Sequence, residues 1–233
     1  MLEAGFYALF IVITAALGIA FRKAALCAGS GERGAAAVQL RYGGFIILWV
    51  IYLSIMVSAG AFKELKSPPS ILLFIILPAF TIITIFHLVR RTLPLIDGFS
   101  LSAVIGMQSF RIFVELLIWG VYTKGLVPEE VTFEGWNFDI LAGLSAPLIA
   151  WLWHKKRIAR GLVLAWNVVC LLLLANVVVI FNTLVMKPQL WGYDSPPIQP
   201  GFTTVPYLYI AAVFMPLAMF LHILAIRKCL RRR

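Results

Sequence analysis

Residues 108–120 read Gln-Ser-Phe-Arg-Ile-Phe-Val-Glu-Leu-Leu-Ile-Trp-Gly. Arg111 and Glu115 stand four residues apart in a run that is otherwise almost wholly apolar. On a soluble helix such a pair is ordinary. In a bilayer it puts two opposite charges near mid-depth, where one Arg or Asp costs about 2.5–3.5 kcal/mol on insertion scales. Whether the run crosses a membrane therefore decides how the pair is read.

Of the 233 residues, 62% are hydrophobic and 13% charged, with a mean hydropathy of +0.96. A soluble domain carries about 25% charged residues. A hydrocarbon core of about 30 Å needs roughly 20 apolar residues per helix. Seven stretches meet that description, at 3–21, 42–62, 71–89, 100–123, 138–153, 161–185 and 205–226. The fifth is the shortest. All are too long and too uniformly apolar for barrel strands, which alternate over about 10 residues. The expected fold is all-α: one domain over residues 1–233, with seven transmembrane helices and little left for a soluble domain. The first stretch begins with Glu3 and has its basic residues, Arg22 and Lys23, after the apolar run. That pattern reads as a retained helix and not a signal peptide.

The basic residues predict an orientation. Fifteen Lys and Arg fall after the first, third, fifth and seventh stretches: Arg22 to Arg41, Arg90 and Arg91, Lys155 to Arg160, and Arg227 to Arg233. Only Lys63, Lys66, Lys124 and Lys187 fall on the other side. The excess of cytoplasmic Lys and Arg in membrane proteins then puts the N-terminus outside and the C-terminus inside. The net charge of +10 suits loops lying against anionic headgroups. With no room for a folded basic domain, nucleic acid is not an expected partner. Cys27, Cys170 and Cys229 form no CxxC pair, so neither a disulfide framework nor a cysteine metal site is indicated.

Gln108, Arg111, Glu115, Trp119 and Tyr122 recur at steps of three or four and make one helical stripe. It should face protein or water, not lipid. Two readings stand. One is a structural ion pair that fixes helix packing; the other is a site for a substrate, ion or proton. The order Arg before Glu is the weaker one for a helical pair, which leaves room for other partners. A second polar cluster, residues 131–147, joins the fourth and fifth helices. Asn137 is a candidate N-cap, with Asp139 in the first turn, where the helix dipole favours a carboxylate. Glu134 has no such explanation, and these carboxylates are candidates for an outer vestibule. Asp139, Gly143 and Pro147 share a face, where a small residue allows close helix approach. Asn167, Asn176 and Asn182 read as interhelical hydrogen-bonding groups.

His87 and His222 each end a helix ahead of basic residues. A pair on different helices could ligate a haem; the plainer reading is an interfacial His bonded to a carbonyl. No cofactor is expected. HExxH, GxSxG, Walker and paired-aspartate motifs are absent from the sequence, and the seventh stretch has no mid-membrane Lys for a retinal Schiff base. An enzyme is the less favoured reading.

Ser67-Pro68-Pro69 and Ser195-Pro196-Pro197 precede the third and seventh helices. Each of these helices carries a proline, Pro78 or Pro216, and then a His. The pattern suggests a parallel three-plus-one-plus-three repeat, an arrangement known among transporters, with chance similarity as its competitor. QSFRIFVE (108–115) and TFEGWNFDILAGLSAP (132–147) resemble segments of a family of bacterial seven-helix membrane proteins without an assigned activity. The likeness covers about residues 108–150 and the His of the last helix. It implies a bacterial inner-membrane location and supplies no functional residues. The leading expectation is binding or transport of a small molecule at the polar site around Arg111 and Glu115, with the lipid bilayer as the other partner. The alternatives are a membrane enzyme or haem protein using His87 and His222, and an accessory subunit of a membrane complex.

Overall fold

The apolar runs fold into nine α-helices, seen in a computed structural model that describes residues 1–62 and 70–231. They are α1 (Leu2–Cys27), α2 (Gly31–Ser58), α3 (Leu77–Leu88), α4 (Leu93–Gly98), α5 (Leu101–Met107), α6 (Phe110–Thr123), α7 (Ile140–His154), α8 (Arg160–Met186) and α9 (Met215–Leu230). No strand forms among the described residues. Lys63, Lys66, Ser67-Pro68-Pro69, Arg232 and Arg233 lie outside them.

Among the described residues, five helical units are long and apolar enough to cross a membrane: α1, α2, Leu101–Thr123, α8 and Ile210–Leu230. A sixth is Leu72–Leu88, which bends by 73° into Arg90–Gly98. The remaining apolar helix, α7, has 15 residues, or about 22 Å at 1.5 Å per residue, short of a hydrocarbon core of about 30 Å. Large apolar side chains such as Ile47, Leu48 and Leu172 are more than half exposed, as expected where lipid replaces water around a helix.

The central unit is the π-helical stretch Ile210–Phe214 with α9, buried throughout from Ala212 to His222. It packs against α3, α5 and α8, while α1 lies along α2 and also touches α4 and α6. Aromatic rings fill the space between α1 and the centre: Phe21 meets Tyr42, Phe86, Phe99 and Phe220 at centroid distances of 5.0 to 6.0 Å.

Two prolines shape the middle of this bundle. Proline has no N–H for the carbonyl four residues back and its ring crowds that carbonyl. Pro78 and Pro216 are each preceded by a five-residue π-helical stretch, Leu72–Ile76 and Ile210–Phe214. These two wide turns lie against each other. The carbonyls that the prolines leave short are Phe74 and Ala212. Tyr52 donates its hydroxyl to the Phe74 carbonyl at 2.7 Å. Trp49 donates its indole N–H to the Ala212 carbonyl at 2.8 Å. Trp49 and Tyr52 stand three apart on α2, hence on one face. One helix thus satisfies the backbone of two others.

Two boundaries differ from the sequence expectation. The second helix begins at Gly31 and not near residue 42, so Arg33 and Arg41 are helical. Its first turns, Gly31 to Gln39, include Ala35, Ala36 and Ala37, which favour a helix, but with Glu32, Arg33 and Gln39 are not apolar enough to mark a span. The fourth stretch is two helices with a break at Gln108 and Ser109.

Candidate functional site

The break between α5 and α6 is built from short-range bonds. Ser109 Oγ donates to the Gly106 carbonyl at 2.8 Å. The amides of Arg111 and Ile112 turn back three residues, to Gln108 and Ser109. Arg111 therefore starts α6 as a buried side chain, 1% exposed. Its Nε donates to Asp139 Oδ2 at 2.6 Å, and Nη2 faces Asp139 Oδ1. This is the two-pronged geometry that makes guanidinium–carboxylate pairs strong and directional.

The third guanidinium nitrogen, Nη1, lies 2.7 Å from His222 Nε2. A guanidinium only donates, so Nε2 is the accepting nitrogen. That leaves the proton on Nδ1, 3.0 Å from Asn167 Oδ1, which accepts it. Asn167 spends its amide on the Val163 carbonyl of its own helix, at 2.8 Å. The Trp166 ring lies against His222, 5.8 Å between centroids, and is tied to Ser145 Oγ at 2.9 Å.

On the other side of Asp139, Asn137 Oδ1 accepts the Asp139 amide at 3.0 Å. The Asn137 amide donates to Glu115 Oε2 at 2.7 Å and to the Val131 carbonyl at 2.9 Å. The result is one chain of polar groups: Glu115, Asn137, Asp139, Arg111, His222, Asn167. It runs from α6 through the α6–α7 connection to α9 and α8, and every member is 4% exposed or less. Asp139 pairs with Arg111 and the bond pattern makes His222 neutral. Glu115 is a second carboxyl group held by an amide, so if it is ionised the chain carries one negative charge in excess.

The helices come close at this point because of Gly143. A Cβ there would lie 2.8 Å from the Ile112 nitrogen and 2.9 Å from Ile112 Cγ1. The bare backbone of α7 therefore rests on the first turn of α6, next to Arg111. The expected N-cap is shifted: Asp139, not Asn137, holds that position, and its side chain caps nothing. The carboxylate turns to Arg111 instead, while Asn137 fixes the approach through its bond to the Asp139 amide.

The remaining candidates lie apart. Gln108 is 1% exposed and donates to the Ala218 carbonyl at 3.2 Å, outside the chain of groups. Trp119 is 38% exposed. Tyr122 is half-buried, with its hydroxyl 3.4 Å from Glu129 Oε2. The stripe fails past Glu115 because each step of four overshoots a full turn by about 40°, which carries Trp119 off the buried face. Glu134 is exposed, its amide on Thr132 Oγ1. His87 is buried, bonded through Nδ1 to the Ile83 carbonyl at 2.9 Å, with its ring on Phe220. Phe220 and His222 are two residues apart on α9, which puts them on opposite faces. The two histidines therefore do not flank a common space for a haem, and the Nε2 lone pair of His222 is engaged by Arg111.

His222 is thus not an interfacial helix end but the middle of the central helix, and Asn167 is its partner. Both were visible in the sequence only as lone polar residues on apolar helices. At one end of the bundle Tyr207, its ring packed edge-on against Phe6, donates to Glu3 at 3.0 Å and accepts from Lys124 at 3.0 Å. The bond to Tyr207, with Glu3 nearby, holds the Lys124 ammonium above its usual range. At the opposite end Arg231 binds Asp97 at 2.7 Å.

No curated protein and no solved structure gives a significant match to this sequence. Residues 68–230 match the family described as a domain of unknown function, DUF8737. The match takes in every residue of the polar chain and leaves out α1 and α2. Since it covers well over half of the sequence, the chain belongs to the DUF8737 family.

Proposed function

We propose that this chain is a seven-crossing protein of the bacterial inner membrane, with its N-terminus outside, that binds a small cationic ligand, a proton included, at Glu115 and uses it in binding or transporting a small molecule. The observation that carries the reading is the charge count of the buried chain. The chain holds two carboxyl groups and one guanidinium, so an ionised Glu115 needs a further positive charge for neutrality. Buried charges without partners are costly, and intramembrane carboxylates are the usual elements of ion and proton pathways.

The path of the backbone supports the same reading. Arg111 is near the middle of Leu101–Thr123, and Asp139 touches it. The segment after Lys124 therefore descends to mid-depth before α7 begins, and α7 spans only the second half. Irregular backbone at such depth is tolerated where protein buries it, and Val131, Thr132 and Asn137 are fully buried. Broken segments that meet at mid-depth form the substrate and ion sites of many transporters. The orientation is supported by the charges at the two ends: Glu3 and Glu129 to Glu134 at one, Arg22, Arg160 and Arg231 at the other.

The likeness of the third and seventh segments, each a π turn, a proline and a His, supports a three-plus-one-plus-three repeat. The pairing of the other helices does not favour it, since α1 lies along α2 whereas α7 and α8 barely meet. An accessory role through the polar stripe is the weaker reading, because its charged members face inward.

The test is the thermal melt of detergent-purified protein over a series of pH values and sodium concentrations. The wild type should respond to one of the two, and Glu115→Gln should lose that response. A response equal in both proteins, or absent from the wild type, would sink the proposal.

A further inference from the structure

A cavity of about 420 Å³ lies between α1, α2, α3 and α9, remote from Glu115. Small-molecule pockets run from about 300 to 1,000 Å³, so it is large enough for an occupant. Its wall is almost wholly apolar and aromatic, with Phe45, Trp49, Ile82, Val213 and Phe220 among the lining residues. Two of the polar groups on that wall are spent. Thr14 Oγ1 donates to the Phe10 carbonyl at 2.6 Å, and the Trp49 indole donates to Ala212. Arg41 is different. It lines the cavity, is exposed, and has no carboxylate partner among the described residues.

Arg41 stands on α2 where the polar opening turns gives way to the apolar run that starts at Gly43. That is the depth at which a helix leaves the headgroup layer. The cavity then extends from this cation along α2 toward Trp49, two helical turns further on. A trough of hydrocarbon character with one unpaired cation at its interfacial end has the shape and charge of an anionic amphiphile. Basic pockets between helices on the cytoplasmic side are recognised sites for anionic lipid headgroups. The occupant would also brace α2, which has only Ala35 and Leu53 buried by protein.

We infer that the cavity holds one hydrocarbon chain of an anionic phospholipid whose headgroup is bound by Arg41. The site goes beyond the Glu115 reading and does not depend on it. It joins α2, outside the family match, to α3 and α9 within it.

The experiment uses full-length protein in phosphatidylcholine nanodiscs that contain a minor fraction of lipid brominated along its chain. Bromine quenches tryptophan on contact, and Trp49 lines the cavity. Brominated phosphatidylglycerol should quench more than brominated phosphatidylcholine at the same fraction. The excess should disappear in Trp49→Phe, which removes the reporter, and in Arg41→Gln, which removes the headgroup contact. Trp49 has a structural bond, so Arg41→Gln, an exposed change, is the decisive variant if Trp49→Phe does not fold. Equal quenching by the two lipids would overturn the inference, as would an excess that persists in Arg41→Gln. Quenching that depends on Trp49 but not on headgroup charge would mean an unselective apolar cavity, and also overturns it.

Discussion

Asp139, 28 residues away in sequence, takes the guanidinium of Arg111, while Glu115, one turn along the same helix, does not. The two residues that share the apolar run are joined only through Asn137 and Asp139. Coupling between Arg111 and Asp139 should therefore be strong, and between Arg111 and Glu115 weaker.

A double-mutant cycle separates the two pairs. Arg111→Leu or Asp139→Leu should each cost about 3–5 kcal/mol, the usual result of orphaning a buried charge. The double change should cost clearly less than their sum. The cycle of Arg111→Leu with Glu115→Leu should show a smaller interaction. Melting temperatures of the purified variants decide it; larger coupling in the Glu115 cycle would contradict the observed pairing.

Gly143 should tolerate no side chain. Gly143→Ala puts a methyl 2.8 Å from the Ile112 backbone nitrogen, and overpacking of this kind costs about 1–3 kcal/mol. Gly44, also helical, has nothing within 4 Å of an added Cβ. Gly44→Ala should be neutral or slightly stabilising, since alanine is the better helix former by about 1 kcal/mol. Equal melting shifts for the two variants would mean that α6 and α7 do not approach as described.

Trp49→Phe should leave the Ala212 carbonyl without a donor, at a cost of about 1–3 kcal/mol. Pro216→Ala supplies the missing N–H. The loss from Trp49→Phe should accordingly shrink when measured in a Pro216→Ala background. Strict additivity of the two changes would show that the indole bond does not replace the helical one.

The orientation can be read with fusions. A reporter active only in the cytoplasm should work when fused after Arg233 and stay silent when inserted near Asp194. The reverse pattern would move Arg41 and the other clustered basic residues from the cytoplasmic side to the outside.

The apolar runs were legible because each carries its own signal, a long stretch without charge. Five of them lie in helices or paired helices long and apolar enough to cross a membrane. What the sequence hides is everything that depends on a contact between runs. The break at Gln108 and Ser109 has no proline to announce it, and Gly106 just before it also reads as an ordinary small residue in an apolar helix. Arg111 invited a partner one turn away, because neighbours in sequence are the only neighbours a sequence displays. Asp139 looked like a first-turn carboxylate, an adequate local role that its contact with Arg111 supersedes. His222 and Asn167 each had a plain solitary reading, and only the packing of α8 on α9 makes them a pair. Trp119 fell away for a geometric reason available in advance, the drift of a four-residue step.

The position of Trp49 and Tyr52 bears on how the molecule may be divided. The family match begins at residue 68, which invites the view that α1 and α2 are a detachable addition. Counting backbone groups argues against that division. A fragment that starts at residue 68 would keep Pro78 and Pro216 but lose both donors from α2, exposing the carbonyls of Phe74 and Ala212 to hydrocarbon. In lipid such groups have no water to turn to. A unit that keeps both prolines therefore also needs α2 to supply these two donors.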